Sequence, residues 1–414
     1  MKKVLCLVLA LAMMIPMVAF ADDTIELTYY FPTQTSGPLA IGMEEIVNKF
    51  NASQDRIHVT ATFTGDYAGC LEKTLTAIAG ENAPNVVLLS TNISDLLNVD
   101  ALVDLNTLIA EEPADFLDDY VPGFFTLFRY PGDHLWAIPF QHSATLFYYN
   151  KDVLKAAGIE NPPSNYTELE AACRAIKASN PDIVPLSFMG DVWITEGLAL
   201  ANGGAIHTDW DHMCLDNEQL IETVTFFKKL VDEGLAIVDN SYGGASENFM
   251  AESVAMMTNT SGSLGSISNT ATFDWDIAGL PAGDGKESAA VIGGGGLHIL
   301  KAGHTDEEIK ATWEFVKYMT SPEISATWMK TSGYFAVRYS AYEQKILTDL
   351  FAEKYQYAST TKFLPLVVSP YLLSKNQNDV QSTFQRALEE IYLNNADVAE
   401  TLKQAQVEAQ AYLE

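Results

Sequence analysis

The chain has 414 residues, of which 48% are hydrophobic and 19% are charged, and its formal net charge is −30 at pH 7. This hydrophobic content predicts a folded protein rather than a disordered one, with length for roughly two to three domains of about 150 residues. The strong negative charge argues against nucleic acid and anionic membranes as partners, because both carry charge of the same sign.

The first 21 residues have the pattern of a secretory signal peptide. Lys2 and Lys3 precede an apolar run, and Ala19-Phe20-Ala21 resembles a cleavage site. An uncleaved membrane anchor is the alternative, but it needs about 20 apolar residues and no cleavage site. We therefore expect residues 1–21 to be removed, which takes the net charge from −30 to −32. The mature protein should be exported and soluble, in the periplasm or at the cell exterior.

Strands and helices alternate at short spacing after this segment. Residue patterns predict strands over 24–31, 57–63 and 86–89, and helices over 37–50 and 68–80. This order predicts an open, mostly parallel sheet with covering helices, in which ligands bind beyond the carboxyl ends of the strands. Those ends are Tyr30-Phe31, the Gly65-Asp66-Tyr67 turn and Ser90-Thr91-Asn92.

The stretch 138–158 is predicted to pass from one domain into the next. A proline-containing extended piece leads into an apolar strand over 144–149 and then into a helix, with Asn150 as its N-cap and Gly158 as its stop. Polar residues precede the strand, where a crossing segment can offer them to a ligand: Gln141, His142 and Ser143.

The second half of the chain repeats the alternation of helices and strands. Asn165 and Glu168 have the spacing of a capping box, a strand follows over 183–188, and Asp191 precedes another helix. An apolar return over 289–300 contains four successive glycines. The pattern predicts two α/β lobes joined by several crossings rather than independent domains on linkers.

Three cysteines remain after removal of the signal peptide, so the mature chain can form at most one disulfide. Cys173 and Cys214 are the favoured pair, because both lie in the second half, and Cys70 would then stay free.

The common catalytic templates are absent from the sequence, so we expect a protein that is not an enzyme and that has no metal or cofactor. His207 and His212 flank Asp209 and Asp211, a grouping that could touch a metal, but a solvated polar loop is the favoured interpretation.

Several residues have both a ligand-binding and a structural interpretation. The run Gly293–Gly296 allows close approach of a ligand or a hinge, or else close packing in the fold. Ser261-Gly262-Ser263 is either a hydrogen-bonding nest or a simple N-cap. Trp193 either stacks on a sugar ring or lies in a core, and Tyr67 and Tyr334 follow glycines in turns that favour presentation to a cleft.

Five stretches, in order, resemble the extracellular solute-binding proteins of family 1, the binding subunits of carbohydrate-type ABC importers. They are Gly65-Asp66-Tyr67, IPFQHSATLFYYNKDVLKAAG from Ile138, MTNTSGSLGSI from Met257, VIGGGGLHIL from Val291 and TSGYFAVRYSAYE from Thr331. The resemblance covers nearly the whole mature chain and is greatest to members that bind glycerol 3-phosphate in the periplasm. It implies a two-lobed, type II periplasmic-binding-protein-like α/β fold with an interlobe cleft and several hinge crossings. The implied lobes are 22–138 with 298–340, and 142–292 with 341–414.

The resemblance also implies the residues that contact the ligand, which are Tyr67, Ser143, Trp193, Ser263, Gly294 and Tyr334. Two family contacts do not carry over. The glutamate of the family falls at or near Thr91, and the segment 370–375, where an arginine grips phosphate, contains no arginine. Lys375 remains there as a point charge without the bidentate fork of arginine.

A monomer that captures a sugar, oligosaccharide or polyol and delivers it to a membrane permease is therefore the main functional expectation. Within the same class, the alternative ligand is glycerol 3-phosphate or a glycerophosphodiester, and a chemoreceptor is an alternative partner. From another class, the alternative is a secreted carbohydrate-active enzyme.

Overall fold

The computed structural model describes residues 24–32, 38–91, 93–129, 133–209, 211–368 and 376–414. Its strands are β1 (Ile25–Phe31), β2 (Ile57–Phe63), β3 (Val86–Leu89), β4 (Ile138–Asn150), β5 (Val184–Met189), β6 (His207–Asp209), β7 (His212–Met213), β8 (Ala236–Asp239), β9 (Val254–Thr260), β10 (Trp275–Ala278), β11 (Ala290–Ile299) and β12 (Val367–Val368). A ten-stranded sheet has the path β2-β1-β3-β11-β4-β9-β5-β8, with β10 paired to β4 and β12 to β11, and β6 and β7 form a separate hairpin.

Helices cover this sheet. In the part of the chain that the structure describes, the α-helices are α1 (Pro38–Ser53), α2 (Tyr67–Ala79), α3 (Ser94–Asn98), α4 (Asn106–Ile109), α5 (Lys151–Ala156), α6 (Tyr166–Ser179), α7 (Val192–Ala201), α8 (Glu218–Asp232), α9 (Tyr242–Met250), α10 (Leu264–Thr270), α11 (Asp306–Met319), α12 (Pro322–Ser332), α13 (Lys345–Glu353), α14 (Tyr355–Thr360), α15 (Gln377–Asn394) and α16 (Val398–Ala411). Short 3-10 helices span Pro122–Phe128, Ser261–Ser263, Tyr339–Glu343 and Thr361–Leu366.

The parallel pairing predicted from the first strands is confirmed, but it does not extend to the centre of the molecule. β1 runs parallel to β2 and β3, as predicted, and β5 runs parallel to β8 and β9. In contrast, β4 and β11 are antiparallel to each other and to their neighbours β9 and β3. The reason is that β11 returns to the sheet from a sequence position more than 130 residues beyond β4, a pairing that local patterns do not encode.

Two large hydrophobic cores lie along the sheet, and β4 and β11 connect them. The first core contains buried side chains of β1, α1, β3 and α11, and the second core those of β5, α7, α8 and α15. β4 is buried over all 13 of its residues, with its beginning paired to β11 and its end paired to β9 and β10. This division agrees with two α/β lobes, one around each core, whereas the residue boundaries of the lobes stay a prediction.

Polar caps start the helices where the sequence indicates them. Asn150 accepts a hydrogen bond from the backbone N–H of Val153, so α5 begins as predicted. Asn165 likewise accepts from the Glu168 N–H at the start of α6. The reciprocal half of the predicted capping box is wrong, however, because the Glu168 carboxylate accepts from Ser164 instead.

The predicted disulfide between Cys173 and Cys214 is wrong. Cys70, Cys173 and Cys214 are all free thiols in the structure. Cys173 is buried within the second core, whereas the Cys214 thiol lies against the carbonyl oxygen of Ala205 at 3.5 Å. Shared location in the second half of the chain was a weak argument, because a disulfide also requires the two Cα atoms within about 7 Å.

We expect one accessible thiol in the native protein without residues 1–21 and three after unfolding. Burial raises the pKa of Cys70 to about 11 and that of Cys173 to about 12, so neither forms a reactive thiolate near neutral pH. Cys214 is only half-buried. Titration with a thiol reagent before and after denaturation in urea measures both counts, with Cys214→Ser as the control that removes the native reaction. A single reactive thiol after unfolding would instead indicate a disulfide.

The signal-peptide prediction, residues 1–21, lies outside the described residues. Within the described ranges, no helix is both long enough and apolar enough to cross a membrane.

Candidate functional site

A run of glycines in β11 lies at the centre of the candidate site. Gly293 is opposite Ser143 of β4, Gly294 is opposite His142, and the register of the ladder shifts between Gly295 and Gly296. Gly294 has a φ angle of +96°, a backbone conformation that side chains with a Cβ rarely adopt. This irregular, side-chain-free stretch of strand leaves room for bulky groups on its surface.

Aromatic rings fill that room. A Cβ added at Gly293 would lie 2.6 Å from a ring carbon of Trp193, and a Cβ added at Gly295 would lie 3.0 Å from the ring of Tyr67. Both rings are partly exposed. Because these glycines have no side chain, two aromatic rings from different helices can pack directly against the backbone of β11.

A third ring belongs to Tyr334 and packs on another glycine. The Tyr334 ring lies 3.0 to 3.3 Å from the position of a Cβ added at Gly262. It is also close enough to Tyr67 for the two phenol groups to interact electrostatically. Like the other two rings, Tyr334 is partly exposed.

Helix ends hold these rings in place. Tyr67 is the first residue of α2, whose N-cap is Asp66, and Trp193 lies in the first turn of α7, whose N-cap is Asp191. Tyr334 directly follows Gly333, which ends α12 with a left-handed φ of +86°. Three parts of the chain that are distant in sequence therefore contribute aromatic side chains to the site from helix ends.

Hydrogen bonds fix the orientation of two of the rings. The Trp193 indole Nε1–H donates to the carbonyl oxygen of Ile292 at 3.1 Å. The Gln141 Nε2–H donates to the Tyr67 hydroxyl oxygen at 2.8 Å. Because both partners lie on the central strands, the rings are attached to the segment that joins the two cores.

The two phenol groups at the site are neutral. Burial, together with the nearby Tyr334, raises the pKa of Tyr67 well above its usual value. Burial also raises the pKa of Tyr334 to about 12. Both phenols therefore stay protonated throughout the physiological pH range and act as neutral hydrogen-bonding groups.

The structure brings the predicted residues together. Tyr67, Trp193 and Tyr334 surround the glycine run, Gly294 lies within it, and Ser143 is its buried neighbour on β4. Ser263 adjoins Gly262 in the 3-10 helix that opens α10, but its hydroxyl donates to Asn259 Oδ1 at 2.9 Å. Ser263 can therefore offer a ligand the lone pairs of its oxygen, whereas its proton is engaged.

Two residues at the site were given no role from the sequence. Gln377, the first residue of α15, donates from Nε2 to the Thr91 hydroxyl oxygen at 2.9 Å. Thr91 was noted at the end of a predicted strand and as the position of the family's missing glutamate, but no contact was assigned to it. No local signal could have indicated Gln377, because 286 residues separate the two partners.

Other polar candidates lie apart from the glycine run. The Asp209, Asp211 and His212 side chains place their ligand atoms within 4.8 Å of one another, but all three residues are exposed. His207 faces Glu196, whose carboxylate oxygen is 3.7 Å from Nε2. The structure thus places His212 in an exposed turn and the partly buried His207 beside the buried carboxylate of Glu196.

His142 also lies outside the group of aromatic rings. Its side chain is buried, stacks on Phe124 with ring centroids 4.6 Å apart, and bonds through Nδ1 to the carbonyl oxygen of Gly293 at 3.0 Å. Because a carbonyl only accepts, Nδ1 carries the proton of a neutral ring. His142 thus has a structural partner that the sequence did not indicate.

Arg338 is occupied away from the site. Its guanidinium lies 3.9 Å from the ring centroid of Tyr120, donates to the Thr320 carbonyl and faces Asp119. The segment 370–375, with Lys375, lies outside the described residues.

Comparison with known proteins identifies the family to which this chain belongs. The family model described as "Bacterial extracellular solute-binding protein" matches residues 45–357. The chain is 27% identical over 318 residues to the sn-glycerol-3-phosphate-binding periplasmic protein UgpB of Rhizobium meliloti, a match that covers 73% of each chain. UgpB of Yersinia pseudotuberculosis is 26% identical over 330 residues, covering 74% of this chain and 73% of that one.

Solved structures share the architecture at lower identity. UgpB from Mycobacterium tuberculosis, in complex with glycerophosphocholine, superposes with a TM-score of 0.85 at 24% identity, covering 94% of this chain and 98% of that one. Maltose-bound MalE3 of T. maritima superposes with a TM-score of 0.82 at 18% identity, covering 94% and 100%. These similarities establish the predicted two-lobed α/β fold, and the named ligands belong to those proteins.

Proposed function

Since this chain belongs to the bacterial extracellular solute-binding protein family, as the resemblance in its sequence predicted, we propose that it captures a neutral sugar, oligosaccharide or polyol between its lobes. The proposal is supported by three partly exposed rings that pack against glycines between the two cores, those of Tyr67, Trp193 and Tyr334. Aromatic faces stack against the C–H faces of sugars, whereas neutral hydroxyls and backbone groups bind their oxygens.

Roles for the individual residues follow from the geometry. Trp193, Tyr67 and Tyr334 would contact the ligand through their rings, and the two phenol hydroxyls would bind its hydroxyl groups. The Gly294 backbone and the hydroxyls of Ser143 and Ser263 would complete the polar contacts, with Ser263 acting as an acceptor. The rings come from helices on different sides of β11, so a bound ligand would hold the lobes together and favour hinge closure.

In the cell, the closed form would dock on the permease of an ABC importer and release its ligand there. We propose that the protein is exported and acts as a monomer. The support for this role is that the curated relatives named above are periplasmic binding proteins. The same relatives support a protein that binds without catalysis.

A ligand panel tests the proposal. We expect at least one of maltose, trehalose, raffinose, xylitol and glycerol to bind in calorimetric titrations and to quench tryptophan fluorescence. Trp193→Ala and Tyr334→Ala should each weaken that binding about 10-fold or more, because each removes a stacking surface at the ligand. Tyr339→Ala is the matched control, because Tyr339 is 52% exposed and lies outside the site. Unchanged affinity in both site variants would refute the residue assignment.

A phosphorylated ligand is the second candidate. It is favoured by the relatives whose names specify sn-glycerol 3-phosphate. Arg338 does not support it, since its guanidinium is engaged by Tyr120, Thr320 and Asp119. Including sn-glycerol 3-phosphate and glycerophosphocholine in the panel decides the question, because a strong preference for either over every neutral compound would reverse our ranking.

A further inference from the structure

Gln377 has an unsatisfied hydrogen-bond acceptor beside the candidate site. The residue is only 4% exposed, and its amide oxygen Oε1 has no hydrogen-bond partner among the described residues. Its amide nitrogen is engaged by the Thr91 hydroxyl, which is itself only 3% exposed. A buried polar atom without a partner costs stability, typically about 1–3 kcal/mol, so it calls for a functional explanation.

The surroundings of Gln377 place it at the same strand ends as Tyr67. Thr91 follows β3 by two residues, and the last residue of β3, Leu89, pairs with Gly296 of the glycine run. The Leu89 carbonyl oxygen and the Tyr67 ring both lie against Gly295. Gln377 therefore approaches the site from the side of β3.

The helix that carries Gln377 belongs to the other lobe. Phe384 and Leu388 of α15 lie in the second core, and Gln385 donates to the carbonyl oxygen of Gly190 there. Only the first turn of α15 reaches toward the first lobe, through Gln377 to Thr91 and through Asn378 to Asp95. The side chain of Gln377 thus bridges the lobes at one edge of the cleft.

We infer that Gln377 is a ligand-binding residue that accepts a hydrogen bond from a ligand hydroxyl through Oε1 while Thr91 anchors its Nε2. This inference rests on the proposed function and specifies which chemical group of the ligand is recognised. Thr91 sets the orientation of the amide, because its hydroxyl oxygen accepts from Nε2 and so directs Oε1 away from it. The same bond links the two lobes, so ligand recognition and contact between the lobes share one side chain.

The chemistry selects against phosphodiesters at this position. An acceptor requires a donor, and a hydroxyl supplies one, whereas a phosphodiester oxygen has no proton to donate. Gln141 repeats the pattern, since its Nε2 holds the Tyr67 hydroxyl and its buried Oε1 also has no partner among the described residues. Two acceptors of this kind specify a ligand with several free hydroxyl groups.

Two nearly isosteric substitutions separate a ligand contact from a simple bridge between lobes. Thr91→Val removes only the acceptor of the bridging bond, whereas Gln377→Met removes both that bond and Oε1 at a similar side-chain volume. We expect calorimetry with each neutral panel compound that the wild type binds to show a loss of about 3-fold for Thr91→Val and at least about 10-fold for Gln377→Met. The double variant should match Gln377→Met, because the two share the bridging bond.

Asn378→Ala is the control for loss of a contact between the lobes alone, because Asn378 makes the neighbouring bond, to Asp95 at 3.4 Å, so its loss of affinity should not exceed that of Thr91→Val. Melting temperatures of all variants verify that they fold. Equal losses in Thr91→Val and Gln377→Met would overturn the inference and leave a structural bridge, with the proposed function intact. If the wild type bound no compound of the panel, the proposed function would fall and this inference with it.

Discussion

Replacing Gly294 by alanine should destabilise the protein by about 3–5 kcal/mol and abolish ligand binding. Two costs combine at this position. The φ of +96° is outside the range that alanine adopts without strain, and the added Cβ would overlap the carbonyl oxygen of Gln141 and lie 3.0 Å from the Cα of His142. Both of these groups are backbone atoms of β4, so relief requires the two central strands to separate.

Glycine controls distinguish the two costs. Gly158 has a φ of +77° but nothing within 4 Å of an added Cβ, so Gly158→Ala should show the conformational strain alone, about 1–2 kcal/mol. Gly123 has neither a positive φ nor a neighbour within 4 Å, so Gly123→Ala should be nearly neutral. Urea denaturation measures the free energy of unfolding of each variant. The explanation fails if Gly294→Ala loses no more stability than Gly158→Ala.

The role of the β11 glycines could not be predicted from local sequence patterns, unlike the starts of the helices. Helix starts were predictable because a cap and its helix are neighbours in the chain, as Asn150 and Asp191 illustrate. The four glycines were also visible, but their role was open between ligand approach, hinge and packing. The deciding facts are the pairing of β11 with β4 and the rings of Trp193 and Tyr67, which come from positions 100 or more residues away.

The site residues also differ in whether the sequence could indicate them. Tyr334 could be proposed from a short stretch that resembles a known family, whereas Trp193 lies in none of the five stretches and was singled out as an aromatic residue just after a predicted strand. Gln377 lies next to no such stretch, and its bond to Thr91 exists only because α15 folds back across the cleft. The Cys173–Cys214 prediction failed for the same reason, because spacing along the chain contains little information about distance in space.

The second large effect that we expect is loss of stability in mild acid, caused by buried histidines. His142 and His298 are both completely buried, and desolvation lowers their pKa values to about 3 and about 4. In the unfolded chain a histidine titrates near pH 6.5, so between pH 6.5 and these lower values the unfolded state binds more protons. The contribution of these two histidines to stability is therefore complete above about pH 6.5 and is lost progressively as the pH decreases.

The magnitude follows from the proton linkage. From pH 6.5 to pH 5.0 each buried histidine contributes a loss of about 2 kcal/mol, since one pKa unit corresponds to about 1.4 kcal/mol. His207 acts in the same direction, because burial lowers its pKa to about 4. Its neighbour Glu196 acts in the opposite direction, because burial raises the pKa of that carboxyl and favours the folded state as the pH decreases toward the normal value for glutamate. The clearest contributions are therefore those of His142 and His298.

His142→Phe isolates one of these contributions. Phenylalanine preserves the stacking on Phe124 and loses the hydrogen bond to Gly293, which costs about 1 kcal/mol at pH 7.5. In return, the difference in unfolding free energy between pH 7.5 and pH 5.0 should shrink by about 2 kcal/mol relative to the wild type, because no proton can bind at this position in either state. His58→Gln is the control, since His58 lies exposed on β2 and its replacement should leave that difference unchanged. A His142→Phe protein with the same pH dependence as the wild type would show that burial does not hold this imidazole neutral.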